Sequence, residues 1–239
     1  MEPMLRRVFR RIAYGAYRAG LRVPEMPDRY AHLAQLTSLL KRLDINVVLD
    51  VGANEGWFSK RLRWAGFAGR IISFEPIPSN HQLIAEKVDP NWLQCGYALG
   101  DRCEVTQFNV LSDAQGGNSM SSFLRPTINV PTMAIEVQVN RLDDVLPGLL
   151  GDVRQPRIFV KLDTQGFDIP VLRGATDWMP RILGLQSEVS IIPIYETMTP
   201  YTDALALYHA MGFDLMDLQV VSRTDTGAVR EYDCLMAKR

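Results

Sequence analysis

With 239 residues, 47% hydrophobic content and a formal net charge of −1, the chain is long enough for one α/β unit with a sizeable core. It is too nearly neutral for general attachment to nucleic acid. Cys95, Cys103 and Cys234 are odd in number and lack Cys-x-x-Cys spacing, which argues for reduced thiols in a cytoplasmic setting and against a disulfide framework or a zinc site. No stretch approaches the roughly 18 apolar residues of a spanning helix, and no apolar run with a small-residue cleavage site opens the chain.

Residues 1–22 carry six arginines (Arg6, Arg7, Arg10, Arg11, Arg18 and Arg22) against one acid, Glu2. Leu5, Val8, Phe9 and Ile12 share a face at 100° per residue, as in a basic amphipathic helix. Such a segment either packs its apolar side on the domain or lies on an anionic membrane surface, and peripheral contact with the inner membrane through residues 1–22 is one expectation. Pro24 and Pro27 end it. A helix from about Tyr30 to Leu43 then leads into a core beginning near residue 45, so 1–44 reads as a helical extension and 45–239 as the domain.

Val47-Val48-Leu49 reads as a strand that runs into Asp50-Val51-Gly52-Ala53-Asn54-Glu55-Gly56 and then a helix from Trp57. Strand, glycine turn and helix in that order place backbone N–H groups at the carboxyl edge of a sheet, where open α/β folds bind nucleotide-like ligands. The pattern is Asp-x-Gly-x-Asn-x-Gly, not the Gly-x-Gly-x-x-Gly of a dinucleotide site. An acid just upstream suits a ligand with an amino group and a sulfonium better than a pyrophosphate. On the helix, Phe58, Leu62 and Ala65 face the sheet. Trp57 and Trp64 lie on a neighbouring face that needs cover, for which the N-terminal segment is the nearest element.

A second strand, Arg70 to Phe74, ends at Glu75, a carboxylate placed to accept bonds from ribose hydroxyls. Ser79 or Asn80 caps a helix through about Val88, and Trp92 to Ala98 reads as a third strand. Glu104 to Val110 and Ala134 to Leu142 alternate as antiparallel strands do. Between them, Ser112 to Ser122 is a long polar loop read as a lid or substrate contact, with Asn118 and Ser119 at its centre. Arg157 to Leu162 and Ile182 to Glu188 are further core strands, each ending in a carboxylate. A helix from Tyr201 to Met211, closed by Gly212, precedes a hairpin of Phe213 to Leu218 and Tyr232 to Ala237. Asp50, Glu75, Asp163 and Glu188 thus fall at strand ends and are expected to line one crevice.

Val48 to Gly56, Phe74-Glu75-Pro76, Ala98-Leu99-Gly100-Asp101 and Val160-Lys161-Leu162-Asp163-Thr164-Gln165-Gly166-Phe167-Asp168 occur in that order. In these motifs the sequence resembles the FkbM family of S-adenosylmethionine-dependent O-methyltransferases, from about residue 45 onward. The resemblance implies a class I methyltransferase fold, Rossmann-like, with seven mostly parallel strands, one of them reversed. It also implies S-adenosylmethionine as cofactor and S-adenosylhomocysteine as product, held by Asp50, Gly52, Ala53, Asn54, Gly56, Ser59, Glu75, Ala98 and Asp101. Asp163 is implied as general base, with Glu188 beside it. The motif departs from the commoner family form at Gln165 and Asp168, where relatives carry Glu, so position 165 is given no acid–base role.

The acceptor so implied is a hydroxyl of a sugar, a glycolipid or polysaccharide, or a polyketide-like small molecule. His32, His81 and His209 are scattered, so no metal is expected; carboxylates alone, Asp163 with Glu188, offer a divalent ion its best bridge. Two other readings compete: a nicotinamide-dependent oxidoreductase, disfavoured by the glycine spacing, and an idle membrane-surface or assembly module, disfavoured by the presence of Asp50, Glu75 and Asp163 together.

Overall fold

A computed structural model describes residues 28–80, 89–111, 121–127 and 131–239. The basic segment 1–22, the continuation of the helix after Asn80, and Asn118 and Ser119 lie outside the described residues.

Helix α1 (Asp28–Arg42) leads into β1 (Val47–Val51), α2 (Trp57–Trp64), β2 (Arg70–Phe74), β3 (Trp92–Cys95) and β4 (Ala98–Leu99). There follow β5 (Glu104–Leu111), β6 (Thr132–Asn140), α3 (Leu142–Leu149), β7 (Ile158–Leu162) and α4 (Asp168–Arg173). The chain closes with β8 (Ile182–Ser190), α5 (Tyr201–Ala210), β9 (Phe213–Arg223) and β10 (Val229–Lys238). The main sheet has seven strands in the order β3-β2-β1-β7-β8-β10-β9. β10 runs antiparallel to both its neighbours while the other pairings are parallel. This is the seven-stranded, one-reversed sheet of the class I methyltransferase fold.

β1 and β7 are buried along their whole length, as strands covered by helices on both faces must be. On one face Leu33, Leu36, Leu39 and Leu40 of α1 and Phe58 and Leu62 of α2 pack on Val48 and Phe159. On the other, Leu142 and Leu146 of α3, Ile169 and Leu172 of α4 and Tyr208 of α5 pack on Leu49, Val160 and Leu185. Burying each side chain of this kind stabilises by about 1.5–3 kcal/mol. Trp64 packs at the rim of the first cluster. Trp57 stays 62% exposed, donating its indole N–H to Glu55 at 3.0 Å with Lys60 Nζ over the ring.

Three boundaries depart from the sequence reading. The expected third strand is split: Trp92–Cys95 pairs with β2, whereas Ala98–Leu99 joins a separate sheet ordered β4-β6-β5. Leu142 does not end a strand but begins α3, with Leu142 and Leu146 one turn apart and both buried. The terminal hairpin is longer than expected, its strands reaching Arg223 and Val229.

Glycine is required where α4 ends. A Cβ at Gly174 would lie 1.9 Å from the carbonyl oxygen of Gly100, so this helix terminus and the loop after β4 touch through backbone alone. Gly174→Ala is therefore expected to destabilise the fold by about 1–3 kcal/mol through forced displacement of the loop, read as a lowered urea midpoint with unchanged slope.

Candidate active site

The carboxyl edge of the sheet opens into a cavity of about 570 Å³. At one end it is lined by Gly52, Asn54, Phe74, Glu75, Ile77, Ala98 and Leu99; at its middle by Asp163, Thr164, Gln165 and Glu188; at the other end by Ile192, Ile194, Ser222, Thr224, Arg230 and Glu231. The small sheet covers it with Phe108 of β5 and, next to it, Phe123, whose rings meet edge-on at 4.8 Å.

The turn after β1 is built by left-handed backbone. Gly52 has φ 75°, Asn54 φ 49° and Gly56 φ 72°, the last capping α2. Glycine and asparagine adopt this region at little cost. At Gly52 a Cβ would meet the Asp163 carbonyl oxygen at 2.0 Å, so this residue holds the β1 and β7 loops together. The N–H groups of Gly52 and Ala53 both donate to the Phe74 carbonyl, and that of Gly56 to the Ala53 carbonyl. These donors brace the turn and are not offered to the cavity.

Glu75 is 4% exposed. Its carboxylate accepts the N–H of Asn54 at 2.7 Å and that of Ile77 at 2.9 Å, with Asn80 contributing a further bond. Acceptor capacity remains toward the cavity. Burial pushes its pKa up to about 7, against the lowering effect of those donors.

Asp50 does not line the cavity, contrary to the expectation that all four strand-end acids would. It lies in the sheet, fully buried, opposite Ser73 on one side and Lys161 on the other. Ser59 Oγ donates to Asp50 Oδ2 at 2.6 Å, and Asp50 Oδ1 has no partner. Ser59 is thereby committed to Asp50 and also lies off the cavity wall. Asp101 is bonded to Arg102 away from the cavity, whereas Ala98 lies on the wall.

Lys161 is the buried cation of this layer. Its ammonium donates to Asp163 Oδ2, and Asp50 adds to the field around it. Burial raises the Asp163 pKa, but Lys161 and the bonds to it outweigh burial and leave it lowered. Glu188 goes the other way, raised well above the usual carboxylate range by burial first and the Asp163 charge second. Between them, the Gln165 amide donates to Asp163 Oδ1 at 3.1 Å and to Glu188 Oε2 at 3.2 Å, and accepts from Tyr195 at 3.3 Å. Gln165 holds φ 53°, an uncommon conformation for this side chain. Its amide spans the two carboxylates; the sequence showed the residue but not this pair. Asp168, read only as a departure from a motif, is buried and accepts from Ser187 at 2.5 Å and from Thr164, tying α4 to the site.

Among the described residues no group of His, Cys, Asp and Glu has the arrangement of a metal site, and no helix is long and apolar enough to cross a membrane.

Residues 50–219 match the methyltransferase FkbM domain. The chain belongs to that family, as its sheet order and motifs lead one to expect. No curated protein matches it. Among solved structures it is similar to the magnesium protoporphyrin IX methyltransferase of Synechocystis PCC 6803, solved with bound SAM, at 8% identity and TM-score 0.46, covering 95% of this chain and 91% of that one. Precorrin-6y C5,15-methyltransferase of Geobacter metallireducens GS-15 gives 13% identity and TM-score 0.46, covering 91% and 93%. LepI in complex with SAM gives 12% and 0.41, with 82% of this chain covering 43% of that one, so the chain spans less than half the length of that relative.

Replacing the buried cation tests the electrostatics. Lys161→Met leaves the fully buried Asp50 and the part-exposed Asp163 without it and is expected to cost up to about 3 kcal/mol near pH 8, chiefly through Asp50. Both acids would then have folded pKa values above their unfolded ones, so stability is lost as pH rises and the deficit shrinks on acidification. Urea unfolding of wild type and variant at pH 5.5 and pH 8 reads this directly.

Proposed function

We propose that the chain is an S-adenosylmethionine-dependent O-methyltransferase acting on the hydroxyl of a sugar-like, glycolipid or polyketide-like acceptor. The observation that carries the reading is the joining, in one cavity, of a fixed strand-end acceptor, Glu75, to a lysine-ionised carboxylate, Asp163. The fit to the cofactor rests on the same wall. Glu75 retains acceptor capacity for ribose hydroxyls, Ile77, Ala98 and Leu99 supply an apolar slot for a purine, and Asn54 and Gly52 lie toward the amino-acid end.

When bound, S-adenosylmethionine supplies an electrophilic methyl on a sulfonium. Asp163 is the base. An alkyl hydroxyl is about as weakly acidic as water, near 15.7, and an Asp near 3.9, so full proton transfer before attack would cost roughly 16 kcal/mol at about 1.36 per unit. Asp163 therefore takes the proton late, as the carbon–oxygen bond forms. Lys161 keeps Asp163 ionised until then, and Gln165 fixes the carboxylate's direction. Glu188, whose pKa is raised by burial and by the Asp163 charge, is the weaker candidate for an ionised base and is held by the Gln165 amide. General-base help of this kind contributes about 10²–10⁴-fold; alignment of the two reactants contributes roughly 7–11 kcal/mol and dominates. A cytoplasmic location, with residues 1–22 touching an anionic membrane surface, is consistent with a lipid-linked acceptor.

Two measurements test this. Ribose hydroxyls bond the ionised form of Glu75, so S-adenosylhomocysteine should bind more tightly as pH rises from 5.5 and level off above about 7, releasing protons below that value. Calorimetry in two buffers of different ionisation heat reads the protons. Glu75→Gln should abolish the pH dependence and weaken binding by about 1.5–3 kcal/mol; unchanged binding in a folded variant removes the ribose assignment. Asp163→Asn should retain S-adenosylhomocysteine affinity but lose about 10²-fold or more in kcat, measured with methyl-labelled donor on a glycolipid and metabolite mixture. Near-normal turnover would leave alignment as the whole of catalysis.

A further inference from the structure

The end of the cavity beyond Asp163 is formed by the β9–β10 hairpin and the strand exit after β8. Here the strand pairing is interrupted. Val229 lies opposite Arg223, Glu231 opposite Ser222 and Tyr232 opposite Val220, so the pairing slips at Arg230 on β10 and recovers at Val221 on β9, and neither of these residues has a partner in the ladder between the two strands. In a regular strand Arg230 and Glu231, being adjacent, would point to opposite faces. A bulge of this kind re-aims a side chain, and here both residues line the same cavity. The bulged backbone is held by the N–H groups of Ile191 and Ile192, which donate to the Arg230 carbonyl at 2.8 and 3.4 Å.

The acids nearby do not use the guanidinium. Glu231 accepts from Ser222 at 2.5 Å and from Ser190 at 3.4 Å, and Glu188 is held by Gln165. Among the described residues, Arg230 has neither a side-chain hydrogen bond nor an ion pair. Lys161, the other cation nearby, is already bonded to Asp163 and is not part of the cavity wall. Arg230 is a half-buried residue of the wall, and its side chain carries five donors in a planar fork, a geometry matched to a carboxylate or phosphate.

We infer that the acceptor carries an anionic group, a carboxylate or a phosphate, and that Arg230 receives it. The inference rests on reading the cavity as a methyl-transfer site with the donor at the Glu75 end. The anion is then held at the far end from Glu75, and the acceptor's hydroxyl reaches Asp163 between them. Arg230 is a specificity-determining residue: it favours an anionic acceptor over its neutral counterpart and takes no part in the proton transfer.

Calorimetry on the full-length chain tests this with three probes: glucuronate, glucose 6-phosphate and glucose, each titrated with and without saturating S-adenosylhomocysteine. At least one anion should bind 10-fold or more tightly than glucose, and the better of the two identifies carboxylate or phosphate as the group recognised. Arg230→Gln, checked for an unchanged melting temperature, should weaken the preferred anion by about 10- to 100-fold, with glucose and S-adenosylhomocysteine unaffected. Arg230→Lys, which keeps the charge but loses the fork, should fall between. Anions that bind no better than glucose overturn the proposal, as does an Arg230→Gln variant that retains anion binding. A variant that loses S-adenosylhomocysteine by the same factor assigns Arg230 to the donor instead, which also overturns it. Failure of the wild type to bind S-adenosylhomocysteine sinks the methyl-transfer reading, while the titrations without it still report on Arg230.

Discussion

One buried ammonium organises the centre of this molecule. Lys161 lies on β7, the fourth strand of seven, directly opposite Asp50 of β1 and Gln186 of β8. Removing a lysine and an aspartate, Lys161 and Asp50, from water costs several kcal/mol for each ion, and that cost is offset only where charge and hydrogen bonds close around them. Here Asp163 takes the ammonium's bond, Ser59 of α2 supplies a donor to Asp50, and Ser73 stands beside Ser59 at 3.4 Å. The serine of a helix, the aspartate of one strand and the lysine of the next are thus one electrostatic unit embedded in an otherwise apolar layer.

That unit sets the chemistry above it. Two carboxylates bridged by one amide cannot both ionise at low cost, and Lys161 decides which of them does. The Asp163 pKa is lowered by Lys161, and that of Glu188 is raised well above the usual carboxylate range by burial and the Asp163 charge. The strained backbone of Gln165, followed by Gly166 at φ 93°, lets one side chain reach both groups while Ser122 bonds its carbonyl at 3.0 Å. Strain of this sort persists where the surroundings over-determine it. The glycine at position 52 contributes through what it lacks, because any side chain there would collide with the backbone of Asp163.

The small sheet and the hairpin divide the cavity between two tasks. β4 brings Ala98 and Leu99 to the Glu75 end, and β5 and the residues after it place Phe108 and Phe123 over the middle. The far end is shaped by the register break in β10. The sheet's ladder is given up at Arg230 on β10 and Val221 on β9, and Arg230 joins Glu231 among the residues of the wall.

The parallel core, the glycine turn and the strand-end acids were legible in the sequence because each is a local signal. A continuous apolar run marks a strand covered on both faces, glycine and asparagine mark left-handed turns, and an acid after a strand falls at the carboxyl edge whatever the rest of the fold does. Strand boundaries were less legible: Cys95 and Ala98 belong to different sheets although three residues apart, and Leu142 reads equally well as the end of a strand or the start of a helix. What only the tertiary structure decided is which way each acid faces and what stands against it. Asp50 and Asp163 look alike in their motifs, yet Asp50 is enclosed beneath the cavity and Asp163 opens onto it. Residues far apart in sequence, Gln165 with Glu188 and Glu231 with Ser190, meet only once β7, β8 and β10 are in register. Pairing register is set by the packing of whole strands, and no window of residues around Arg230 contains the information that the ladder slips there and recovers at Val221.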